Sequence, residues 1–188
     1  MDFAYSEKTE QLCARLRNFM DDHIMPRIGQ WYDEVRAGTY PVSFMEDLKA
    51  LAKEEGLWNL FLPGLRDDEP GTRLTNLEYA PLAEIMGRVP WSPEVFNCNA
   101  PDPATRSVLT DFASELQREQ WLGPLLNGDI RSAFAMTEPD VATSDATNIQ
   151  TAIRRDGDDY VINGRKWFIT NAHPPQCKVF IVMGKTDP

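Results

Sequence analysis

The 188-residue chain is 42% hydrophobic and 26% charged, proportions that belong to globular domains and exclude fibrous or disordered classes. A formal net charge of −10 argues against a nucleic-acid groove, which needs clustered Lys and Arg to neutralise phosphates. No apolar run is long enough to span a bilayer, so no membrane span is expected.

In chain order, Ser6 is placed to cap a helix whose apolar residues Leu12, Leu16, Phe19 and Met20 recur at helical spacing and which should end before Pro26. Ser43 and Glu46 have the spacing of a capping box, followed by Leu48 and Leu51 on the face of Phe44 and by Gly56 at the C-terminal glycine position. Thr75 and Glu78 repeat the pattern ahead of Leu82, Ile85 and Met86, with Pro81 expected to kink that helix or delay its start. "SELQREQWLGPLLNG" reads as a helix burying Trp121, Leu122 and Leu125 and stopping at Asn127-Gly128. Gly and Pro cluster at 63–71 and 90–103, which reads as loops between helices.

Near residue 130 the period changes from helical to alternating. "AFAM" reads as a strand of small apolar residues, "IQTAIRR" and "YVIN" alternate around a "DGDD" turn, and Asn163-Gly164 predicts a second hairpin from which "RKWFIT" returns. "KVFIVMG" supplies another buried strand. Helices first and strands afterwards make the fold class α+β, with helical residues 1–129 and β residues 130–188. Some 60 residues of thin sheet bury little surface alone, so the β part is expected to need more chain or a partner.

Between the strands, "TEPDVATSDATN" concentrates the hydroxyls of Thr137, Thr143, Ser144 and Thr147, with Ala142 and Ala146 permitting close approach to the backbone. Short hydroxyls and backbone N–H groups hold a polar heterocycle or a pyrophosphate without needing Lys. Trp167 and Phe168 add two flat rings which, in a strand, point to opposite faces, one to the core and one over a ligand. A flat hydrogen-bonding cofactor such as a flavin fits both stretches, although hydroxyl-rich loops of this kind are also ordinary turns.

Other polar residues have plainer readings. His23 and His173 are isolated and make no metal site; Asp145 caps its local turn; Met136 serves as core filler or lies beside the ligand loop; Asp156 to Asp159 form a solvated turn. Cys13, Cys98 and Cys177 are widely spaced without a CxxC, which reads as free thiols in a reducing compartment. The N-terminal "MDFAYSEKTEQL" lacks the apolar core of a signal peptide and is too acidic for a transit peptide, so the expected location is cytoplasmic, or the mitochondrial matrix or peroxisome in a eukaryote.

"AFAMTEPDVATSDATNI" followed by "YVINGRKWFITNA" resembles the flavin-binding β domain of the acyl-CoA dehydrogenases, and "LTNLEYAPLAEIMGR" and "WLGPLLNGDIRSAF" resemble that family's helical N-terminal domain. The wording of the loop is most similar to the branch found as the dehydrogenase half of larger family members and in bacterial homologues. The resemblance implies an all-helical domain followed by an incomplete antiparallel β-barrel-like domain. It also implies FAD and α,β-dehydrogenation of a fatty acyl-CoA thioester, as in β-oxidation, with hydride passing to the flavin. Phe134, Ala135, Met136 and Thr137 are then expected along the flavin edge. Ser144, with Thr143 beside it as the alternative, is expected near the pyrophosphate and the substrate's pantetheine arm. Phe168 or Trp167 would cover the ring, and Thr170 would face its hydride-accepting nitrogen. The implied partners are the acyl-CoA, an electron-transfer flavoprotein or similar acceptor, and further copies of the chain in a homo-oligomer.

The family's catalytic glutamate belongs to a C-terminal helical domain, and this sequence stops inside the β domain, so no catalytic residue is assigned. Glu138 is expected to serve the loop's internal bonding. By itself the 188-residue chain is expected to lack turnover and to hold FAD weakly. Two alternatives remain at this stage: a non-catalytic truncated paralogue acting as an interaction module, and a flavin oxidase of the same superfamily.

Overall fold

The computed structural model, which describes residues 4–62 and 64–186, starts helix α1 (Glu7–Phe19) at the expected cap: Ser6 Oγ accepts the Thr9 amide at 3.2 Å. Leu12, Cys13, Leu16 and Phe19 form its buried stripe. Pro26 does not end the helical path. The chain runs on through a π turn (Met20–Ile24) and a 3₁₀ turn (Met25–Arg27) into α2 (Ile28–Arg36), which was not read from the sequence. Proline lacks only an N–H, and at the start of a helical turn that N–H has no partner to lose. The same reasoning corrects the expected loop at 90–103. Pro93 and Pro103 sit in the first turns of α5 (Ser92–Val95) and α6 (Asp102–Phe112).

Helix α3 (Met45–Glu54) lacks the expected Ser43–Glu46 box. The Ser43 amide and hydroxyl both bind the Glu34 carboxylate, at 2.6 and 2.7 Å, and Glu46 accepts from Lys49 instead. Gly56 does take the left-handed position after the helix, at φ 65°. Helix α4 (Asn76–Met86) has the complete Thr75–Glu78 capping box and runs through Pro81 without a delayed start. Ser114 forms a second complete box with Gln117. The chain continues through α7 (Glu115–Gln117), a π turn (Arg118–Leu122) and α8 (Gly123–Asn127), closed by Gly128 at φ 80°. The core of this unit joins α1, α3 and α4 through Leu16, Phe19, Met45, Leu82 and Met86, with Phe96 and Trp91 packed on it.

Two compact units, Met1–Gly128 and Asp129–Pro188, divide the chain. Among the described residues no helix is long and apolar enough to cross a membrane, and all three cysteines are free thiols.

The second unit is a small β region, so the helical-then-β order of the fold is as expected. Strand β1 (Arg131–Ala135) pairs with β4 (Cys177–Val182), and β2 (Ala152–Asp156) pairs with β3 (Asp159–Asn163) around Gly157 at φ 62°. Only the second pairing is antiparallel; β1 and β4 run parallel, which the long connection between them permits. The Asn163–Gly164 hairpin does not form, and "RKWFIT" is not a strand. Asn163 closes the β3 ladder opposite Ala152, and Gly164 then turns the chain against Thr151. A Cβ at Gly164 would lie 2.7 Å from the Thr151 Cβ, so this glycine serves close approach and not a hairpin turn.

In the helical unit a fully buried Arg106 organises two loops. Its Nη1 donates to Asn59 Oδ1 at 2.6 Å and its Nη2 to the Asn97 carbonyl. Asn97 Nδ2 donates to the same Asn59 oxygen at 2.8 Å, and Asn59 Nδ2 donates to the Pro70 and Leu126 carbonyls. Asn59 and Asn97 hold positive φ, 52° and 55°, a conformation asparagine tolerates better than most residues. Asn59→Ala therefore strips an acceptor from a buried guanidinium and strains the backbone. Its expected cost is about 3–5 kcal/mol in stability, measured by denaturant unfolding followed by tryptophan fluorescence.

Candidate functional site

Glu138 gathers the β unit's loops around one carboxylate. Its side chain is 4% exposed, and a buried carboxylate is tolerated only when donors surround it. Here they come from two directions. The Gln150 and Thr151 amides donate at 2.7 and 2.9 Å and the Thr151 hydroxyl at 2.6 Å, all from the entry to β2. Lys166 Nζ approaches from the far side at 2.9 Å and also donates to the Met136 carbonyl at 2.8 Å. Burial pushes the Glu138 carboxyl up, but the hydroxyl, the ammonium and the two amides together outweigh it and bring the pKa down to about 2.

One residue further along each strand of chain, the Trp167 amide donates to the Thr137 carbonyl at 3.1 Å. The two stretches that the sequence singles out therefore meet, although their motifs lie some 30 residues apart. At the surface, Arg165 and Asp140 pair at 3.0 Å across the same junction.

The predicted site residues fall into three groups. Phe134 and Ala135 stand on β1 opposite Ile181 and Val182, with Ala135 buried. Thr137 and Trp167 are joined directly by the backbone bond above, the Met136 carbonyl is held by Lys166, and Thr137 is exposed. Ser144 and Thr170 are exposed on the continuations of the two loops, while Thr143 is buried. Trp167 and Phe168 do not point to opposite faces as a strand would require. Phe168 has φ 50°, and the two rings lie side by side with centroids 4.6 Å apart, both exposed, Phe168 to 83%. Asp145 accepts from the Thr147 amide and hydroxyl at 2.9 and 2.7 Å, so it caps its own turn as expected.

Sequence reasoning missed Lys166 and Thr151. The available signal was the loop's charge: Glu138, Asp140 and Asp145 share a stretch with no Lys or Arg, so a cation must come from elsewhere, and Lys166 is the basic residue next to the Trp167–Phe168 pair.

Because the folded carboxyl titrates well below its ordinary value of 4.5, its stabilising effect is complete above that ordinary range and is lost as the pH falls towards about 2. Glu138→Gln should destabilise the β unit at neutral pH, and the gap between variant and native should close over that acidic interval. Equilibrium unfolding read at the Thr151 amide by NMR measures it.

Comparison with known proteins identifies the family of both units. Residues 6–129 match the acyl-CoA dehydrogenase N-terminal domain and residues 133–188 the middle domain. A probable acyl-CoA dehydrogenase, FadE2 of Mycobacterium tuberculosis, is 52% identical over the whole chain. The structure of a putative acyl-CoA dehydrogenase from Mycobacterium abscessus superposes with a TM-score of 0.89 at 48% identity over 98% of the chain. An acyl-CoA dehydrogenase from Bacillus anthracis, solved in complex with FAD, superposes with a TM-score of 0.68 at 25% identity over 96%. The chain spans 46%, 47% and 29% of these three proteins' lengths. With both its units matched in sequence and in fold, the chain belongs to the acyl-CoA dehydrogenase family, as its N-terminal and middle domains.

Proposed function

We propose that the chain is the N-terminal and flavin-holding part of an FAD-dependent dehydrogenase that introduces an α,β double bond into a fatty acyl-CoA thioester. The observation that carries this reading is the junction of the Thr137 loop with the Trp167–Phe168 segment, closed by the Trp167 amide on the Thr137 carbonyl. A phenylalanine that is 83% exposed at positive φ is costly on both counts, with the backbone alone contributing of order 1–3 kcal/mol. A flat apolar ligand laid over that ring repays the cost. The exposed hydroxyls of Thr137, Ser144 and Thr170 flank the ring pair along the chain and suit the polar rim and phosphates of FAD. The residues present thus fit the cofactor.

Bound FAD supplies the acceptor for the hydride leaving the substrate's β carbon. The chain's own residues would bind and orient: Phe168 and Trp167 would offer ring faces, Thr137 and Thr170 would offer hydrogen bonds at the flavin edge, and Ser144 would hold the phosphates. Glu138 is not the base for the α proton. Its oxygens are engaged by four donors, and a carboxyl held near 2 is a poor proton acceptor.

The helical unit adds a complementary feature. An apolar cavity of about 350 Å³ is lined by Phe61, Tyr79, Cys98, Ala100, Pro101 and Ala104. Burial raises the Tyr79 phenol and the Cys98 thiol above their ordinary values, which keeps the lining neutral and suited to an acyl chain. An electron-transfer flavoprotein or similar acceptor, assembly into a homo-oligomer, and a place in fatty-acid β-oxidation in the cytoplasm or an organelle matrix complete the reading.

Titration of the ¹⁵N-labelled chain with FAD tests it. Saturable, weak binding should shift the amides of Thr137, Ser144, Trp167, Phe168 and Thr170, while acyl-CoA added with FAD should give no turnover. Unperturbed spectra, or shifts clustered elsewhere, would overturn the flavin assignment.

A further inference from the structure

Lys166 is set apart from its basic neighbour in the chain by its burial. Its side chain is 13% exposed, whereas that of Arg165, the next residue, is 71% exposed and pairs only at the surface. The Lys166 ammonium does not simply neutralise the nearest acid. It spans two groups of the opposite loop, the Met136 carbonyl at 2.8 Å and the Glu138 carboxylate at 2.9 Å. Between those two anchor points lies Thr137, and immediately after Lys166 lie Trp167 and Phe168.

Glu138 does not depend on Lys166 for its other partners. The Gln150 and Thr151 amides and the Thr151 hydroxyl fix the carboxylate from the segment that enters β2. The lysine is therefore the side-chain tether that carries this fixed point across to the 165–168 segment. Among the described residues, one backbone bond joins the segments beside it, from the Trp167 amide to the Thr137 carbonyl. A single exposed-edge bond is weak, with a net worth of about 1 kcal/mol. A half-buried ammonium that bonds to both flanks of Thr137 adds two further bonds that restrict the register between Thr137 and the ring pair.

We propose that Lys166 is a positioning residue: by bridging the Met136 carbonyl and Glu138 it locks the Thr137 hydroxyl and the Trp167–Phe168 rings into one preformed flavin-facing surface. This inference rests on the flavin reading above and adds that affinity for the isoalloxazine depends on a residue that does not touch it. Pre-organisation of this kind raises affinity by removing the ordering cost from the binding step.

The test compares the native 188-residue chain with Lys166→Met and Lys166→Arg. Methionine keeps the length and apolar stem while removing every donor, and Glu138 keeps its three β2 donors. Flavin affinity is measured by fluorescence quenching, Trp167 amide exchange by NMR, and global stability by thermal unfolding. The expected result for Lys166→Met is an unchanged fold, at least tenfold weaker FAD binding and loss of protection at the Trp167 amide, with Lys166→Arg recovering most of both. If Lys166→Met binds FAD as the native chain does, the positioning role is wrong and the flavin reading stands. If the native chain shows no saturable FAD binding, the flavin reading fails and takes the inference with it. If Lys166→Met unfolds, the double variant Glu138→Gln with Lys166→Met, which leaves no uncompensated charge, is read in its place. Native-like FAD affinity in that folded double variant overturns the proposal, as does its failure to fold, which makes the pair purely structural.

Discussion

A carboxylate withdrawn from water must be matched donor by donor, and in the β unit that requirement governs the arrangement of every loop near the candidate site. Glu138 is satisfied only if the entry to β2 presents two amides and a hydroxyl at one point and an ammonium arrives from the other side. Those demands fix the path of residues 149–151 and of 164–168 together. They also explain Gly164. The chain passes so close to Thr151 that no side chain fits there, and Thr151 is pressed into place because its hydroxyl and amide both serve the carboxylate. Gly184 is used in the same way, its backbone lying against Ile153 beside the bridge between Ala152 and Lys185. A thin sheet of two-stranded pairings stabilises little by hydrophobic burial, so an ionic hub carries more of the local order here than it would in a thick core.

The helical unit follows the same logic with the charge reversed. Arg106, fully buried, is enclosed by Asn59, the Asn97 carbonyl and the Asp102 carbonyl. What it organises is again irregular chain and not a helix. Asn59 and Asn97 sit in left-handed conformations, and the segments they begin supply Phe61, Cys98, Ala100 and Pro101 to the wall of the apolar cavity. Helices and strands hold their own backbone bonds and need no such device. Irregular loops that must keep a set shape do need it, and in each unit a buried ion secures them.

How much of this was legible in the sequence depends on the range of the interaction. Caps satisfied within three or four residues were read correctly at Ser6 and Thr75, because nothing distant competes for them. The Ser43 box failed because Glu34, nine residues earlier in the chain, takes both of its polar groups. Prolines were read as stops at 26, 93 and 103, although first-turn prolines start helices as readily as they end them. Asn163-Gly164 has the letters of a hairpin, yet its glycine is there for a contact with Thr151 that local pattern cannot reveal. The hydroxyl loop and the aromatic pair were visible as residue types, and the family resemblance supplied the roles proposed for them. That Lys166 binds them together was not visible, because a lysine beside a tryptophan looks like any other surface lysine until its long-range partner is known.

The contrast between Glu138 and Phe168 shows how the site divides its work. One is a charged group drawn inside and bonded at every side; the other is a large apolar ring left 83% exposed on a strained backbone. Reversing the two would suit an isolated fold better, since water solvates carboxylates and rejects phenyl rings. Keeping them this way round costs stability twice, and it persists only if the arrangement is used. A buried charge with fixed partners holds direction accurately because its bonds are short and angular, whereas an apolar ring meets a flat ligand through contacts that require correct placement but little angular bonding. In the proposed flavin site the polar residues would set position and the apolar ones would make contact, which is the order of tasks that a preformed cradle for a planar cofactor requires.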